Sequence, residues 1–158
     1  MNDVIIQIES PDQPDVRDLL AASDAYAATL YPAESNHMLD TDRLRGPDVS
    51  FFVARRDGKV LGCAGLVKKS ADYVEIKRMY IDQAARGSGL GKRLMEVLND
   101  EAHRLGVDYL RLETGIHQPE AIALYRRDGF TEIGAFGDYE PDPLSVFMEK
   151  RLSRTPLA

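Results

Sequence analysis

Residues 83–94 read QAARGSGLGKRL, three glycines at alternate positions followed at once by a basic pair. A run of this kind lets a backbone wrap an anion, and its meaning depends on what flanks it. Upstream, Tyr73 to Asp82 reads as a strand. Downstream, Leu90, Leu94, Val97, Leu98, Ala102 and Leu105 recur at helical spacing, and Gly106 follows as a C-terminal cap. The run therefore joins a strand to a helix, the setting in which backbone N–H groups and the positive end of the helix bind a phosphate.

Working outward, Val4 to Ile8 is a short β-branched strand, and Pro14 to about Tyr31 has the apolar spacing of a helix. The polar segment YPAESNHMLD breaks that pattern, and Asp40 to Arg45 predicts another helical turn or two. Phe51–Arg55 and Lys59–Lys68 flank Asp57-Gly58, a pair suited to a tight hairpin turn. Val107–Glu113 reads as a buried strand, and Pro119 opens a helix that ends before Gly129. Phe130–Phe136 and Leu144–Lys150 read as closing strands. The order β, α, α, β, β, β, α, β, α, β, β predicts a mixed α/β fold around one sheet.

At 158 residues and 44% hydrophobic, the chain has the size and apolar content of one domain with a core, 1–158. Its net charge of −6 disfavours nucleic acid and anionic membranes as partners. The N-terminus lacks a basic signal region, and no stretch approaches the roughly 20 apolar residues of a membrane span, so a cytoplasmic location is expected. Cys63 is the only cysteine and lies in VLGCAGLV, where a buried structural thiol is expected in preference to a nucleophile. The three histidines have no metal-ligand spacing, so no metal is expected.

Two familiar phosphate loops fail on particular letters. A Walker A loop needs Ser or Thr after Gly91-Lys92, and a glycine at position 86; the chain has Arg93 and Arg86. A dinucleotide fingerprint needs a glycine three residues after Gly89, where Lys92 stands. What fits is Arg/Gln-x-x-Gly-x-Gly/Ala, here Arg86-Gly87-Ser88-Gly89-Leu90-Gly91. With Met79-Tyr80-Ile81 before it, and Gln118-Pro119-Glu120-Ala121, Tyr125 and Gly129-Phe130 after it, the chain resembles the Gcn5-related N-acetyltransferase (GNAT) superfamily. Gln118 departs from the asparagine usual there. The motifs span about residues 50 to 150. The resemblance implies an acyl-CoA N-acyltransferase fold with a mostly antiparallel sheet, a splayed and bulged strand, and helices on both faces. It divides the chain into an N-terminal acceptor side, 1–49, and a cofactor-binding core, 50–151.

The residues carry a second sign of that bulge. Val74 and Ile76 put apolar side chains on even positions whereas Met79 and Ile81 put them on odd ones, a slip of phase that a β-bulge makes and that a strand buried on both faces would also allow.

The resemblance implies acetyl-CoA as the acyl donor, with its pyrophosphate held by the loop N–H groups from Gly87 to Lys92 and by the charges of Arg86 and Lys92. It implies further that Met79, Tyr80, Ile81 and Gln118 contact the cofactor, that the Met79 N–H faces the thioester oxygen, and that Tyr125 protonates the leaving thiolate. A preorganised donor of the first kind is worth roughly 3 kcal/mol of barrier. The base is left between Glu75, which regular alternation puts on the same side as Met79 and which could instead pair with Lys77 or Arg78, His117, and water alone. Tyr31, Glu34, His37, Arg78 and His117 are candidate acceptor contacts. Tyr139, in the FGDYEP segment, is read as lining a pocket, touching a second copy, or steadying a turn. The expected reaction is direct acetyl transfer to an amine of a small molecule or peptide, without a covalent enzyme intermediate. The competing reading is a non-catalytic acyl-CoA sensor. Homodimers are frequent in the superfamily.

Overall fold

A computed structural model describes residues 3–35 and 40–152. The chain runs β1 (Ile5–Ile8), α1 (Pro14–Leu30), β2 (Val49–Arg56), β3 (Lys59–Lys68), β4 (Tyr73–Ile81), α2 (Leu90–Leu105), β5 (Tyr109–Gly115), α3 (Pro119–Arg127), β6 (Thr131–Ile133) and β7 (Ser145–Arg151). Seven strands make one sheet in the order β1-β2-β3-β4-β5-β7-β6. Every neighbouring pair is antiparallel except β4 with β5. The mixed α/β class and the mostly antiparallel sheet are therefore those expected.

Alternation along the central strands builds two cores, one on each face. Phe52, Ala54, Ala64, Leu66, Val74 and Ile76 join Leu94, Met95 and Leu98 of α2 and Tyr125 of α3. The intervening positions Phe51, Val53 and Cys63 join Val16, Leu19 and Leu20 of α1. Since successive strand residues point to opposite faces, α1 covers one side of the sheet and α2 with α3 the other.

The strand read over Val107–Glu113 runs two residues later, Tyr109–Gly115, and two other segments are shorter than their fullest reading. Of the helical turn or two expected over 40–45, one 3-10 turn forms, Arg43–Arg45, and Gly46-Pro47 stops it after Leu44 has been buried. The strand expected over 130–136 ends at Ile133. The chain then leaves the sheet edge so that Phe136 can pack edge-on against Tyr73 and Phe147, each at 5.9 Å between ring centroids.

No helix among the described residues is long and apolar enough to cross a membrane. No group of three His, Cys, Asp or Glu among them could hold a metal ion.

Cys63 is fully buried, and its Sγ donates to the Arg78 carbonyl at 3.3 Å. Burial pushes the thiol up from 9.0 to about 12. An unfolded chain would release this proton from about pH 9 upward, while the native chain holds it until about pH 12. Stability from this group is thus complete below pH 9 and falls as pH rises. Between pH 9 and 10.5 the fall is about 2 kcal/mol. Urea denaturation at those two pH values should show a smaller loss for Cys63→Ala than for the wild type, by about that amount; equal losses would overturn the assignment.

Candidate active site

Lys77 pairs with Gly65 and Tyr80 with Cys63, so β4 carries one residue more than β3 between these points, and Arg78 and Met79 together oppose Ala64. This is a bulge, and Arg78 sits in it at φ 57°. A non-glycine residue in this region costs on the order of 1 kcal/mol, and contacts elsewhere must hold it there. The Arg78 guanidinium reaches α1, donating to Asp24 at 2.6 Å and to the Leu20 carbonyl at 3.1 Å. The backbone twist is therefore secured by a side chain anchored on the neighbouring helix.

The bulge sits where β4 and β5 part. Their parallel pairing covers Tyr73–Ile76 and Tyr109–Leu112 and stops there. Beyond it, β4 continues along β3 to Ile81, and β5 along β7 to Gly115. The sheet thus forks, and the β4 backbone past Ile76 turns its β5 side to a cleft of about 720 Å³.

One wall of the cleft is Met79, Tyr80 and Ile81, continued by Arg86, Gly87 and Gly89. The N-terminus of α2 follows, with Leu90, Gly91 and Lys92. Gly87 and Gly89 have φ 78° and 82°, so the loop needs glycine there for its backbone, and Gly89 is the N-cap of α2. Gly91 has a different reason. A Cβ on it would stand 3.0 Å from Leu124 Cδ2 and 3.3 Å from Ile81 Cδ1, so its glycine lets α2 lie close to α3. The Ser88 hydroxyl donates to the Ala85 carbonyl at 2.5 Å, and the residue does not line the cleft. Arg86 donates to the Ile81 carbonyl and lies 5.4 Å from the Tyr26 ring and 5.6 Å from that of Tyr80.

The opposite wall is α3 with the end of β5. Gln118 lines it, its Oε1 accepting from Thr114 at 3.0 Å. Tyr125 also lines it; burial above all, and then the negative charge of Glu113, raise its phenol far above the ordinary 10.0. It is a neutral O–H at any physiological pH. Glu113 itself lines the cleft and accepts from the Ser145 hydroxyl at 2.7 Å.

Glu75 is placed otherwise than simple alternation predicts. Met79 and Ile81 pack on the α2 core and Tyr80 on the α1 core, so the extra residue at the bulge has reversed the strand's parity. Glu75 therefore lies on the face opposite Met79, 1% exposed and outside the cleft lining. Tyr139 donates to it at 2.5 Å, and the Lys77 ammonium stands 3.2 Å away and donates to Tyr139 in turn. Of the three readings of Tyr139, this buried chain gives it a fourth role, joining the 134–144 loop to the root of the fork.

Of the candidate acceptor contacts, Tyr31 and Arg78 line the cleft. His117 stacks on Tyr31 at 5.5 Å, outside the lining, and Glu34 is exposed in the 3-10 turn Ala33–Ser35. His37 lies outside the described residues. Sequence reading passed over Glu113 and Gly115 as cleft residues, and named Lys77 only as a partner of Glu75, which it is at 3.2 Å. The signal for Glu113 was present: it alternates with Leu110 and Leu112, so with Arg111 it gives one face of the strand a charged character that the other lacks.

A forked sheet with a glycine loop on one prong and a buried tyrosine facing it defines an acyltransferase of the acyl-CoA N-acyltransferase class. A model of the Acetyltransferase (GNAT) family matches residues 13–130, and the chain belongs to that family. It is 50% identical over 153 residues to the IAA acetyltransferase of Azospirillum brasilense, covering 96% of this chain and 100% of that one. A solved Klebsiella pneumoniae protein assigned as an acyl-CoA N-acyltransferase shares 39% identity at a TM-score of 0.81, over 95% of this chain and 98% of that one. A family acetyltransferase of Elizabethkingia anophelis, solved with acetyl-CoA bound, shares the fold at a TM-score of 0.73 and 16% identity, over 96% and 100% of the two chains.

Asp24→Ala removes the carboxylate that meets Arg78. Since Arg78 is buried and Asp24 half in solvent, a loss of about 1–2 kcal/mol in urea denaturation is expected. An unchanged midpoint would show that the bulge holds without its anchor.

Proposed function

We propose that the protein transfers an acetyl group from acetyl-CoA to a primary amine of a small molecule or peptide, by direct attack within a ternary complex. The observation that carries this reading is the fork, which opens between an anion-seeking helix end on one prong and a carboxylate with a buried phenol on the other. On the first prong, α2 has no acidic residue in its first turn and no side-chain cap, and Lys92 and Arg93 add positive charge there. Cations at a helix N-terminus are unfavourable alone and are relieved by an anion of high charge, as a diphosphate is.

The chain's residues fit acetyl-CoA along its length. The backbone N–H groups from Gly87 to Lys92, Ser88 and Leu90 included, take the diphosphate, with Arg86 and Lys92 adding charge. Between the β4 edge and α3, Met79, Tyr80, Ile81 and Gln118 flank the pantetheine arm. The bound cosubstrate supplies an acyl group activated as a thioester. The Met79 N–H orients and polarises its carbonyl, and Tyr125 holds a proton at its Oη for the sulfur that leaves.

For the base, two carboxylates line the cleft, Glu113 on β5 and Glu120 in the first turn of α3. Glu113 is the half-buried one at the fork and Glu120 is exposed, and we assign Glu113 the proton of the attacking amine in preference to Glu120, Glu75 and His117. Glu75 keeps Lys77 and Tyr139 in place instead. Direct attack is supported by the position of Cys63, which is fully buried and lies outside the cleft lining.

The test is release of free thiol from acetyl-CoA over a panel of primary amines. Tyr125→Phe should lower kcat by about a hundredfold or more while the KM for acetyl-CoA changes little. Glu113→Gln should lower kcat comparably and abolish the rise of rate with pH on the acidic limb. Wild-type kcat in either variant would remove that residue from its role, and no amine-dependent release at all would overturn the reading.

A further inference from the structure

The acceptor side of the cleft is closed by a contact that the transfer chemistry does not itself require. Tyr31 follows the last residue of α1, its N–H donating to the Ala27 carbonyl at 3.0 Å. Its side chain lies against Gly115, the last residue of β5 on the other prong of the fork. A Cβ on Gly115 would overlap the phenol oxygen and Cζ and stand 2.7 Å from Cε1. No side chain can be added there while the ring keeps its place. Gly115 is not among the residues with positive φ, so its backbone makes no demand for glycine. The missing side chain is a notch, and Tyr31 fills it.

The ring is also fixed in orientation. The phenol oxygen accepts the His117 N–H at 3.0 Å, and the imidazole stacks on the ring with 24° between planes. Glu113 lies two residues before Gly115 on the same face of β5. Tyr139, at 5.4 Å from the Phe147 ring, stands toward the other end, since Phe147 is the strand partner of Glu113. The carboxylate thus shares the cleft lining with the Tyr31 ring, while Tyr139 lies outside that lining, and the charge of Glu113 reaches both phenols. An ammonium group with a narrow carbon body matches this lining, through charge with Glu113 and through the Tyr31 ring.

We infer that Tyr31, seated in the Gly115 notch, is the wall that sets acceptor size, so that the enzyme takes slender primary amines and rejects bulky ones. This rests on the amine-transfer reading above. The test compares kcat/KM for n-butylamine and for benzhydrylamine, as a ratio within each protein so that differences in intrinsic reactivity and in total activity cancel. Tyr31→Ala empties the wall, and Gly115→Ala expels the ring from its notch. Both should raise the bulky-to-slender ratio at least tenfold, while Tyr31→Phe, which keeps the ring, stays within threefold of the wild type. Should Gly115→Ala fail to fold, Tyr31→Ala carries the test, because it adds no atom. Amine-dependent thiol release with a ratio unmoved in Tyr31→Ala overturns this inference alone. Absence of such release from the wild type with every amine overturns the parent reading and this one with it.

Discussion

The cleft depends on a single residue held in left-handed backbone. Arg78 has no conformational reason to sit at φ 57°, and the position is secured by its guanidinium on Asp24 and the Leu20 carbonyl of α1. Packing of α1 against the sheet and the bulge in β4 are therefore one event. Without α1, Arg78 would lose the partners that offset its strain, and a regular β4 would have no extra residue to turn it from β5. The Cys63 thiol of β3 adds to this by donating to the Arg78 carbonyl. The fork is narrow at its root, since only Tyr73–Ile76 and Tyr109–Leu112 pair across it.

Charge is arranged around that root in two layers. Glu75, Lys77 and Tyr139 form a buried set beneath the fork, in which the ammonium offsets the carboxylate and the phenol joins them by hydrogen bonds. A buried carboxylate lacking such partners would be costly, so Glu75 is tied to a fixed place by its own desolvation. Glu113 forms the upper layer, at the cleft surface. Its field raises the phenols of Tyr125, Tyr31 and Tyr139, in each case behind burial as the larger cause. These three tyrosines thereby keep their phenolic protons.

Much of the fold was legible in the sequence because the informative signals are local. Lys59–Lys68 and the span of α2 were read to the residue, since turn glycines and apolar periodicity bound them. The phase slip between Ile76 and Met79 located the bulge, although a doubly buried strand would have left the same letters. What could not be read is what needs two distant segments at once. Gly115 gave no sign of its purpose, because its notch is filled by a residue 84 positions earlier in the chain.

The placement of Glu75 shows how one extra residue redirects a side chain. In a regular strand, Glu75 and Met79 would share a face, and the glutamate would look toward the thioester oxygen's donor. The bulge reverses parity between them, sending Met79 to the α2 side and leaving Glu75 on the α1 side under Tyr139. The same fork that frees the β4 backbone for a cosubstrate thus removes the β4 carboxylate from the cleft. The carboxylates that do line the cleft come from elsewhere, Glu113 from β5 and Glu120 from α3. On β5 parity is intact from Tyr109 to Gly115, and the position past the last paired residue, Leu112, is Glu113. A single strand cannot both bulge at Arg78 and keep Glu75 in register with Met79, so the half-buried carboxylate at the cleft belongs to the neighbouring strand.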